Sequence, residues 1–564
     1  MEKRVLLAFF ISLALLGAYW YFFPPPKYKE APVKASEAIS SSTNQPIESA
    51  VSGDESQTLA QQLVADTPEI DQLELAETIK VSTSLYDIEF NTDGATLSSM
   101  RLKGYSYELD PPVILYKRAW NWIMDKKNSA NKYDGTRLVD MIDQSVDGRD
   151  KVLNFMISKN DKNLIYTASE WRSDGEKKYI KFRANINDSV SIVKTYLFDD
   201  QNYKFSLNVE IFNEGSTPVL IAPTLMFGSG SKIIESSYNA QHKVAMSLID
   251  DDYEKYDIDE PLRLQNFLWV AISDVYFVSG IKGLDDKWSA DFVPVDDYIN
   301  GKQQSNPLLT LNREPLRVGG NNSWDQSYEI FMGPKDVDLL EDFDETFGET
   351  LDLLFNIIAR PMIYALRWFH EYVGNWGIAI MMLTLSVRLI LFPLAFKGMQ
   401  SMKNMSRLNP RMKLLRKKLA NDKQKLNNEI MQLYRKNKVN PVSGCLPMIV
   451  QIPIFIALYW SLLPAVELRH EPFIWWLNDL SHYDPYMILP LLMGISMYVQ
   501  QKIAPQPANL DPMQQRIMKF LPVMMTLFFV NFPSGLVLYW VTSNLITIGQ
   551  QFIFNRIKVK EVVE

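Results

Sequence analysis

The sequence predicts an α-helical polytopic membrane protein with six membrane-spanning helices, five of them in a C-terminal core, and an all-β domain outside the cytoplasm. Six apolar segments support the membrane assignment, at about residues 5–23, 376–396, 442–465, 486–501, 517–532 and 535–554. Charge divides the chain in the same way, since residues 24–349 carry 33 Lys and Arg against 54 Asp and Glu, and the remainder carries 25 against 12. An acidic, water-exposed domain is therefore joined to a basic membrane domain.

Residues 1–23 are predicted to form an uncleaved transmembrane anchor. An uncharged run from Val5 to Phe23 follows Met-Glu-Lys-Arg and is long enough to cross the hydrocarbon core of a bilayer. A signal peptide is the alternative, but its apolar region is usually shorter, and here three prolines follow with no small-x-small cleavage site close by. Residues 24–78 are rich in Pro, Ser, Glu, Gln and Ala, which predicts a flexible linker.

Residues 79–348 are predicted to form a large antiparallel β-sandwich, or super-sandwich. Short stretches such as Tyr86-Asp-Ile-Glu-Phe and Phe205-Ser-Leu-Asn-Val-Glu-Ile alternate apolar and polar residues, and Asn, Asp and Gly turns separate them. This region has no Cys and a single His, His242, so we expect neither a disulfide framework nor a metal site. Since no Gly-rich phosphate loop occurs either, we expect no cofactor.

Residues 349–373 are predicted to form an amphipathic interfacial helix, because Leu, Phe, Ile and Met residues recur there at helical spacing. Two placements fit this pattern. The helix either lies flat on the outer face of the membrane or packs on the β-sandwich. The first placement is favoured because Asn375-Trp376 and the next apolar segment follow at once.

Basic residues in the loops predict the topology of the core, residues 374–556. Residues 397–438 contain 13 Lys and Arg and only two acidic residues, so this segment belongs in the cytoplasm. Six spans then place both termini in the cytoplasm, including a tail at 557–564, and the acidic domain outside. A bacterial inner membrane with a periplasmic domain is the simplest location, although composition alone fits a Gram-positive cell surface as well.

The cytoplasmic segment, residues 397–440, is predicted to be an antiparallel helical hairpin with a turn at Asn421-Asp422. Met399, Met402 and later apolar residues recur at three- and four-residue spacing, and the intervening residues are basic, including Arg416-Lys417-Lys418. One interpretation is a seam that closes on itself with charges that only set topology. The other, of equal weight, is a capture surface for ribosomal RNA or anionic lipid, in which Met supplies adaptable contacts.

Arg388 is the most informative single residue, because it lies inside the apolar run 376–396 and no Asp or Glu lies in any apolar segment. A guanidinium at that depth costs roughly 2.5 to 3.5 kcal/mol and needs water, lipid headgroups or an acidic partner. A water-accessible cavity is favoured over snorkelling to the interface. Uncharged polar residues in the spans predict the same cavity, although interhelical hydrogen bonding explains each of them singly: Thr384, Ser386, Gln451, Tyr539, Thr542, Ser543 and Asn544.

The sequence lacks the features of membrane enzymes, transporters and channels. It has no HExxH or GxSxG motif, no acidic relay within a span and no visible pair of similar halves. We therefore expect a protein that is not an enzyme and that binds neither a metal nor DNA.

Several local sequences resemble the YidC family of membrane protein insertases, and the resemblance covers the whole chain. They are Ser386-Val-Arg, Asn440-Pro-Val-Ser-Gly-Cys-Leu-Pro, Gln451-Ile-Pro-Ile-Phe, Asp511-Pro-Met-Gln-Gln and Phe532-Pro-Ser-Gly-Leu-Val-Leu-Tyr. The resemblance implies a Gram-negative inner-membrane protein that inserts nascent membrane proteins, alone or with the SecYEG translocon and accessory Sec proteins, with the ribosome and membrane lipids as further partners.

The same resemblance implies a hydrophilic substrate groove. Arg388 matches the groove arginine of the family, and Thr384, Gln451 and Tyr539 match other groove positions. Trp540 stands where related members often have a second Tyr, which keeps an aromatic contact and removes a hydroxyl. The alternative function is that of a lipid scramblase or lipid-linked transport protein, since a hydrated groove that faces lipid also suits headgroups.

Overall fold

The structure is a computed structural model that describes residues 76–106, 138–142, 152–157, 164–175, 177–230, 243–250, 252–299, 302–353, 356–419, 422–437, 446–504 and 512–556. The predicted anchor, the cytoplasmic tail and nearly all of the predicted linker lie outside the described residues. So does the segment around Cys445. The six-span count therefore stays a prediction.

The described residues between 78 and 334 are built mainly from β-strands. They are β1 (Thr78–Ser82), β2 (Tyr86–Asn91), β3 (Thr96–Ser106), β4 (Leu138–Asp140), β5 (Asn154–Met156), β6 (Thr167–Ala168), β7 (Arg172–Asp174), β8 (Lys177–Asn187), β9 (Val190–Asp199), β10 (Lys204–Asn213), β11 (Val219–Ile221), β12 (Thr224–Gly228), β13 (Val244–Ile249), β14 (Asp252–Tyr256), β15 (Leu262–Gln265), β16 (Phe267–Ser273), β17 (Phe277–Lys282), β18 (Trp288–Ile299), β19 (Lys302–Arg313), β20 (Leu316–Val318) and β21 (Asn322–Pro334).

These strands form one large sheet and three smaller ones. The ten-stranded sheet has the order β14-β13-β16-β17-β21-β10-β9-β8-β6, with β7 also on β8, and a five-stranded sheet has the order β15-β18-β19-β12-β5. Strands β1 to β4 form a third sheet, and β11 pairs with β20. Every strand pairing in the described residues is antiparallel, as the alternation predicted. Inward residues of the three larger sheets share one continuous apolar core, for example Phe90, Phe198 and Leu309.

Helices follow the last strand. They are α1 (Val337–Phe343), α2 (Asn356–Val373), α3 (Trp376–Ile390), α4 (Phe392–Arg407), α5 (Asn409–Lys418), α6 (Lys423–Lys436), α7 (Leu446–Leu462), α8 (Ile488–Ile503), α9 (Pro512–Phe528) and α10 (Ser534–Arg556), with short 3-10 helices at Phe347–Leu351, Val466–Leu468 and Phe529–Asn531. Residues 337–348, assigned to the β-sandwich from sequence, thus contain α1 and the start of a 3-10 helix instead of strands, although Leu340 and Phe343 still pack in the β core.

The apolar run 376–396, predicted as one straight span, is broken at Leu391. Pro393 has no N–H to donate to the preceding turn, and its ring clashes with the carbonyl four residues earlier, so α3 ends and α4 starts in a new direction. Within the part of the chain that the structure describes, no single helix has both the length and the apolarity to cross a bilayer. Helices α3 and α4 meet that test as a pair bent by 63°. The hairpin, predicted from residue 397, is therefore preceded by a helix that begins at Phe392.

Helix α10 lies at the centre of the helical domain. It packs against α3, α7 and α8, and α9 packs on the side of α8. The close approach of α8 and α9 depends on Gly494, where a Cβ would lie 2.0 Å from Thr526 Oγ1. Small and apolar residues such as Ala379, Ala457 and Val537 fill the centre of this bundle.

Helix α2 has three distinct faces. They agree in part with both predicted placements, on the membrane surface and against the β-sandwich, and with neither placement alone. One face is buried against both domains, since Ile363 joins the β core and Leu366 joins the helical core. A second face carries Arg360 and Arg367, which pair with carboxylates around α1. The third is exposed and apolar, with Ile357, Tyr364, Trp368 and Tyr372. The helix thus packs beside the sandwich and still presents an apolar stripe that suits a membrane surface.

Candidate functional site

The guanidinium of Arg388 lies half-buried on the last turn of α3, facing α10. Its Nε donates a hydrogen bond to the hydroxyl oxygen of Ser543 at 3.0 Å, and its Nη2 donates to the same oxygen. Among the described residues Arg388 makes no ion pair. A neutral hydroxyl orients the cation without neutralising it, so the positive charge of Arg388 has no counter-charge among the described residues.

A second polar contact lies one helical turn away on α10. Tyr539 precedes Ser543 by four residues and therefore shares its face of the helix. Its hydroxyl accepts a hydrogen bond of 2.6 Å from Nε2 of Gln451 on α7. Polar groups of α3, α10 and α7 thus form one row: Arg388, Ser543, Tyr539 and Gln451.

The two other predicted groove residues take different roles. Thr384 is buried, and its hydroxyl donates to the carbonyl oxygen of Ile380 in its own helix at 2.7 Å. Trp540 packs against the rings of Phe455 and Phe529, with centroid distances of 4.7 and 5.0 Å. Thr384 therefore lies on the Arg388 face of α3 with its hydroxyl bonded within its own helix, and Trp540 belongs to an aromatic cluster beside the polar row.

Sequence reasoning grouped Ser543 with the polar residues of the last span but did not place it against Arg388. The sequence feature that could have identified Ser543 is its four-residue spacing from Tyr539, which puts both hydroxyls on one face of the helix. The next residue points elsewhere, since Asn544 Nδ2 donates to the hydroxyl of Ser496 on α8 at 3.0 Å. Helix α10 therefore uses two adjacent polar residues to hold two different neighbours.

The hairpin predicted at residues 397–440 is formed by α5 and α6, and its apolar residues pack against one another. Leu408, Met412, Ile430 and Tyr434 are buried together, and the Tyr434 hydroxyl lies 3.2 Å from the sulfur of Met412. Met399 and Met402 lie earlier, half-buried on α4, and are not among the residues of this cluster. The interpretation of a self-closing seam therefore fits the apolar residues from 408 onward.

The basic residues at the end of α5 point outward to different degrees. Lys417 and Lys418 are exposed, whereas Arg416 is half-buried near Tyr434. Two freely accessible positive charges therefore lie on the tip of the hairpin, whichever role they have. Among the described residues no cluster of three or more His, Cys, Asp or Glu side chains has the geometry of a metal site.

The outer flanks of the helices are apolar and exposed. They include Ile378, Leu385 and Leu389 on α3, Leu491 and Ile495 on α8, and Phe520, Val523 and Leu527 on α9. Apolar patches of this extent on several adjoining helices are typical of surfaces that contact lipid or another protein. The polar row around Arg388 therefore lies inside a helical bundle whose outside is apolar.

An antiparallel β-domain followed by a helical bundle with an apolar exterior is typical of a membrane protein with a large water-exposed domain, and comparisons with known proteins agree with this class. Residues 78–365 match the family described as the YidC periplasmic domain, and residues 368–561 match the 60Kd inner membrane protein family. The boundary between the two matches falls inside α2.

Relatives match along nearly the whole chain. The membrane protein insertase YidC of Citrifermentans bemidjiense is 33% identical over 571 residues, covering 99% of both chains. The corresponding protein of Geobacter metallireducens is 34% identical over 562 residues, covering 99% of this chain and 98% of its own. A crystal structure of an active YidC insertase with its first transmembrane domain resolved is 20% identical, covers 85% of this chain and 92% of that chain, and gives a TM-score of 0.35.

This chain belongs to the YidC family of membrane protein insertases. It is therefore a protein of the bacterial inner membrane and, as predicted, not an enzyme.

Proposed function

We propose that this protein moves nascent membrane proteins from the cytoplasmic side into the inner membrane through a hydrophilic groove centred on Arg388. The relatives' name, membrane protein insertase, supports the general activity. The observation that carries the proposal is the half-buried guanidinium of Arg388, held by a neutral hydroxyl and without an ion pair among the described residues. A cation left without a counter-charge inside an apolar bundle needs water or a transient anionic ligand.

The first step is entry of the polar tail of a substrate. The row of Arg388, Ser543, Tyr539 and Gln451 supplies hydrogen-bonding groups that keep water in the groove, and Arg388 attracts acidic side chains of the tail. In a hydrated groove this attraction amounts to a few kcal/mol at most, because water screens it. Ser543 fixes the direction of the guanidinium, so that its remaining donors face the groove.

The second step is release of the apolar helix of the substrate into lipid. The exposed flank of α3, including Leu385 and Leu389, lies next to Arg388 in sequence and leads from the groove to the surface. Burial of apolar surface, at roughly 25 cal/mol per Å², makes this transfer favourable for a hydrophobic segment. The driving force thus comes from the substrate, and no residue with a role in nucleotide chemistry is required.

The cytoplasmic hairpin is proposed to bring substrates to the groove. The positive charges of Lys417 and Lys418 face outward, and they suit ribosomal RNA or anionic lipid headgroups. This placement requires both termini and the hairpin in the cytoplasm and the β-domain in the periplasm. The ribosome, the SecYEG translocon and the accessory Sec proteins are the partners that this arrangement serves.

Site-specific photocrosslinking tests the proposal. A photoreactive phenylalanine analogue replaces Gln451 in the polar row or, as a matched control, Leu491 on the exposed flank of α8. Stalled nascent membrane proteins are expected to crosslink at position 451, and lipid is expected at position 491.

The scramblase alternative makes the opposite prediction at one position. If position 451 crosslinks to phospholipid with every stalled substrate and never to a nascent chain, the groove transports lipid and the proposal is wrong. The control at position 491 shows in each experiment that lipid crosslinks are detectable.

A further inference from the structure

The loop between α7 and α8 exposes a group of aromatic and apolar side chains at its tip. Trp475 is 93% exposed, the largest such fraction among the exposed apolar side chains, and it stands between Ile474 and Trp476. Tyr486, at the other end of the loop, is 52% exposed. None of these residues belongs to the groove around Arg388.

Hydrogen bonds fix the loop at the level where the helices begin. Asn375, the N-cap of α3, donates from Nδ2 to the carbonyl oxygens of Pro472 at 3.3 Å and Phe473 at 3.2 Å. The start of α10 is held in the same way, because the Gly535 N–H donates to the carbonyl oxygen of Leu480 at 2.8 Å. The aromatic tip therefore lies just beyond the ends of α3 and α10.

Close packing keeps the loop in this position. Gly377, one residue into α3, touches the ring of Phe473, where a Cβ would lie 2.1 Å from the nearest ring atom. The end of α2 reaches the same level, since His370 stacks on Trp376 with centroids 3.9 Å apart. The exposed aromatic residues of α2 and of the loop thus flank the same end of the bundle.

The tip continues the exposed apolar flank of α8. Trp475, Trp476, Asn478, Tyr486 and Ile488 line one open cleft. Ile488 is the first residue of α8, and this helix goes on to expose Leu491, Leu492 and Ile495. The surface that covers α8 therefore extends without a break to the ring of Trp475.

We propose that this aromatic tip is seated in the outer leaflet of the membrane, and that its cleft takes the glycerol and upper acyl region of a phospholipid. The proposal rests on the topology proposed above, which places this loop on the periplasmic side. Trp and Tyr are enriched at this depth because their rings are apolar and their N–H or O–H groups reach water. A Trp ring exposed beside Ile and Tyr at the end of a lipid-covered flank meets these conditions.

Fluorine NMR of the full chain tests this placement. The protein is labelled with 5-fluorotryptophan and reconstituted in nanodiscs of phosphatidylethanolamine and phosphatidylglycerol, and Trp475→Phe identifies the resonance of Trp475 by its loss. The Trp475 signal is expected to be lost when a lipid carries a spin label near the top of its acyl chain, and to persist with a soluble gadolinium chelate. Trp288, buried in the β core, is the internal control that neither probe broadens.

Two results overturn the proposal. Broadening by the chelate without broadening by the lipid label places Trp475 in water. Protection from both probes places it in a protein contact, either with a second copy or with another partner.

A separate measurement shows whether the proposed topology is at fault. In a Cys445→Ser background, Glu314→Cys puts a thiol on the exposed surface of the β-domain. A membrane-impermeant maleimide added from the periplasmic side should label it. Absence of labelling contradicts the topology, whereas labelling together with a water-exposed Trp475 contradicts only the lipid site.

Discussion

At the scale of single residues, Arg388 carries a charge that the bundle orients but does not neutralise. If its role is to attract acidic tails, Arg388→Lys should retain much of the insertion activity, because the charge survives although the planar fork is lost. Arg388→Ala should impair substrates with acidic translocated tails more than substrates with short neutral tails. The loss should be partial, because a hydrated groove offers a few kcal/mol at most.

Paired substrates that differ only in tail charge measure this difference at equal expression of each variant. Arg183→Ala is a matched control, because Arg183 is an exposed cation on β8 in the β-domain. Equal losses of insertion for acidic and neutral tails would mean that Arg388 shapes or hydrates the groove and does not attract the charge of the tail.

A buried cation also stabilises the β-domain. Lys194 on β9 is fully buried, and its ammonium donates hydrogen bonds to the carbonyl oxygens of Gly94, Ala95 and Leu153 at 2.8 to 2.9 Å. Three N–H groups thus meet three acceptors. Burial lowers the pKa of Lys194, and the three carbonyls oppose this effect because they stabilise the protonated form.

Lys194→Met should therefore destabilise the β-domain, because the methionine leaves the carbonyls of Gly94 and Leu153 without this donor at about 1–3 kcal/mol each, whereas the Ala95 carbonyl keeps the hydrogen bond from the Tyr196 hydroxyl. The expected loss is at least about 2 kcal/mol, measured by urea unfolding of the full chain followed by tryptophan fluorescence. Lys181→Met, at an exposed position on the neighbouring strand β8, is the control. Equal stability of the two variants would show that the carbonyls find water instead.

Burial of Lys335 at the domain interface makes the stability of the folded chain depend on pH. Its ammonium donates to the carbonyl oxygen of Asp274 at 2.8 Å, and burial lowers its pKa from 10.5 to about 8. Between these two values the unfolded chain binds more protons than the folded chain, so stability rises with pH across this window and is lost as pH falls towards 8.

Thermal unfolding of the full chain between pH 8 and 10 measures this effect. The wild-type midpoint should rise across this range relative to that of Lys335→Met, which has no titrating group at this position. Lys287→Met, at an exposed position, should behave as the wild type. Parallel curves for the wild type and Lys335→Met would contradict the assignment.

At the scale of elements, hydropathy and alternation predicted most of the structure. Alternation indicated antiparallel strands because one face of each strand is buried, as in β10, where inward Phe205, Leu207 and Val209 alternate with less buried residues. The break at Leu391 was missed because the apolar run was read as continuous, although Pro393 lies within it. A proline inside a helical pattern is a local signal that the sequence does contain.

Contacts between distant segments could not be predicted in this way. The hydroxyl of Ser543 meets Arg388 across 155 residues of sequence. The loop histidine His470 lies 3.2 Å from the hydroxyl of Ser106 at the end of β3, 364 residues away. Neither pair has a local pattern, because each depends on how whole elements dock.

The hairpin supplies a prediction at this scale. Replacing Arg416, Lys417 and Lys418 with Gln should weaken association with ribosomes or anionic liposomes at low salt, because attraction to phosphate groups is lost. The difference from wild type should shrink at high salt, where screening already removes most of that attraction. The seam around Met412 should stay folded, since these three residues are not part of its apolar cluster.

A second triple variant controls for net charge. Lys177, Lys181 and Arg183 are exposed on one strand, β8, so their replacement by Gln removes the same charge from the β-domain. Cosedimentation should be unchanged for this variant. If the hairpin variant also binds as the wild type does at low salt, its charges serve topology alone.

At the scale of the whole molecule, ion pairs connect the β-domain to the helical bundle through α2. Arg367 pairs with Asp338 at 2.6 Å and Asp336 at 2.8 Å on one side, and with Glu467 in the loop after α7 on the other. Arg360, seven residues earlier on the same face, pairs with Glu349 at 3.0 Å. Apart from Glu467, the acidic residues that form ion pairs with α2 thus lie in the short helical segment after β21.

These contacts decide which part of the β-domain is dispensable. Deletion of residues 79–334 removes the strands and keeps α1, the 3-10 helix and all the acidic partners of Arg360 and Arg367. It also keeps the polar row and the hairpin, so insertion should survive in a membrane-inserted chain. Contacts with the strands are lost, among them the packing of the Arg469 guanidinium over the rings of Tyr276 and Phe277 at 5.8 and 5.6 Å and the contact of His470 with Ser106.

A longer deletion, of residues 79–353, is the matched comparison. It removes Asp336, Asp338 and Glu349, so Arg360 is left without the ion pairs around α1 and Arg367 keeps only Glu467. Because α2 packs on α3 and α7, its displacement should disturb the bundle, and both steady-state level and insertion should fall below those of the shorter deletion. Insertion of one substrate set is measured for both chains at matched membrane abundance. A 79–334 deletion that is stable and membrane-inserted yet inactive on every substrate would place part of the mechanism in the β-domain, and equal activity of the two deletions would show that the bundle alone holds α2.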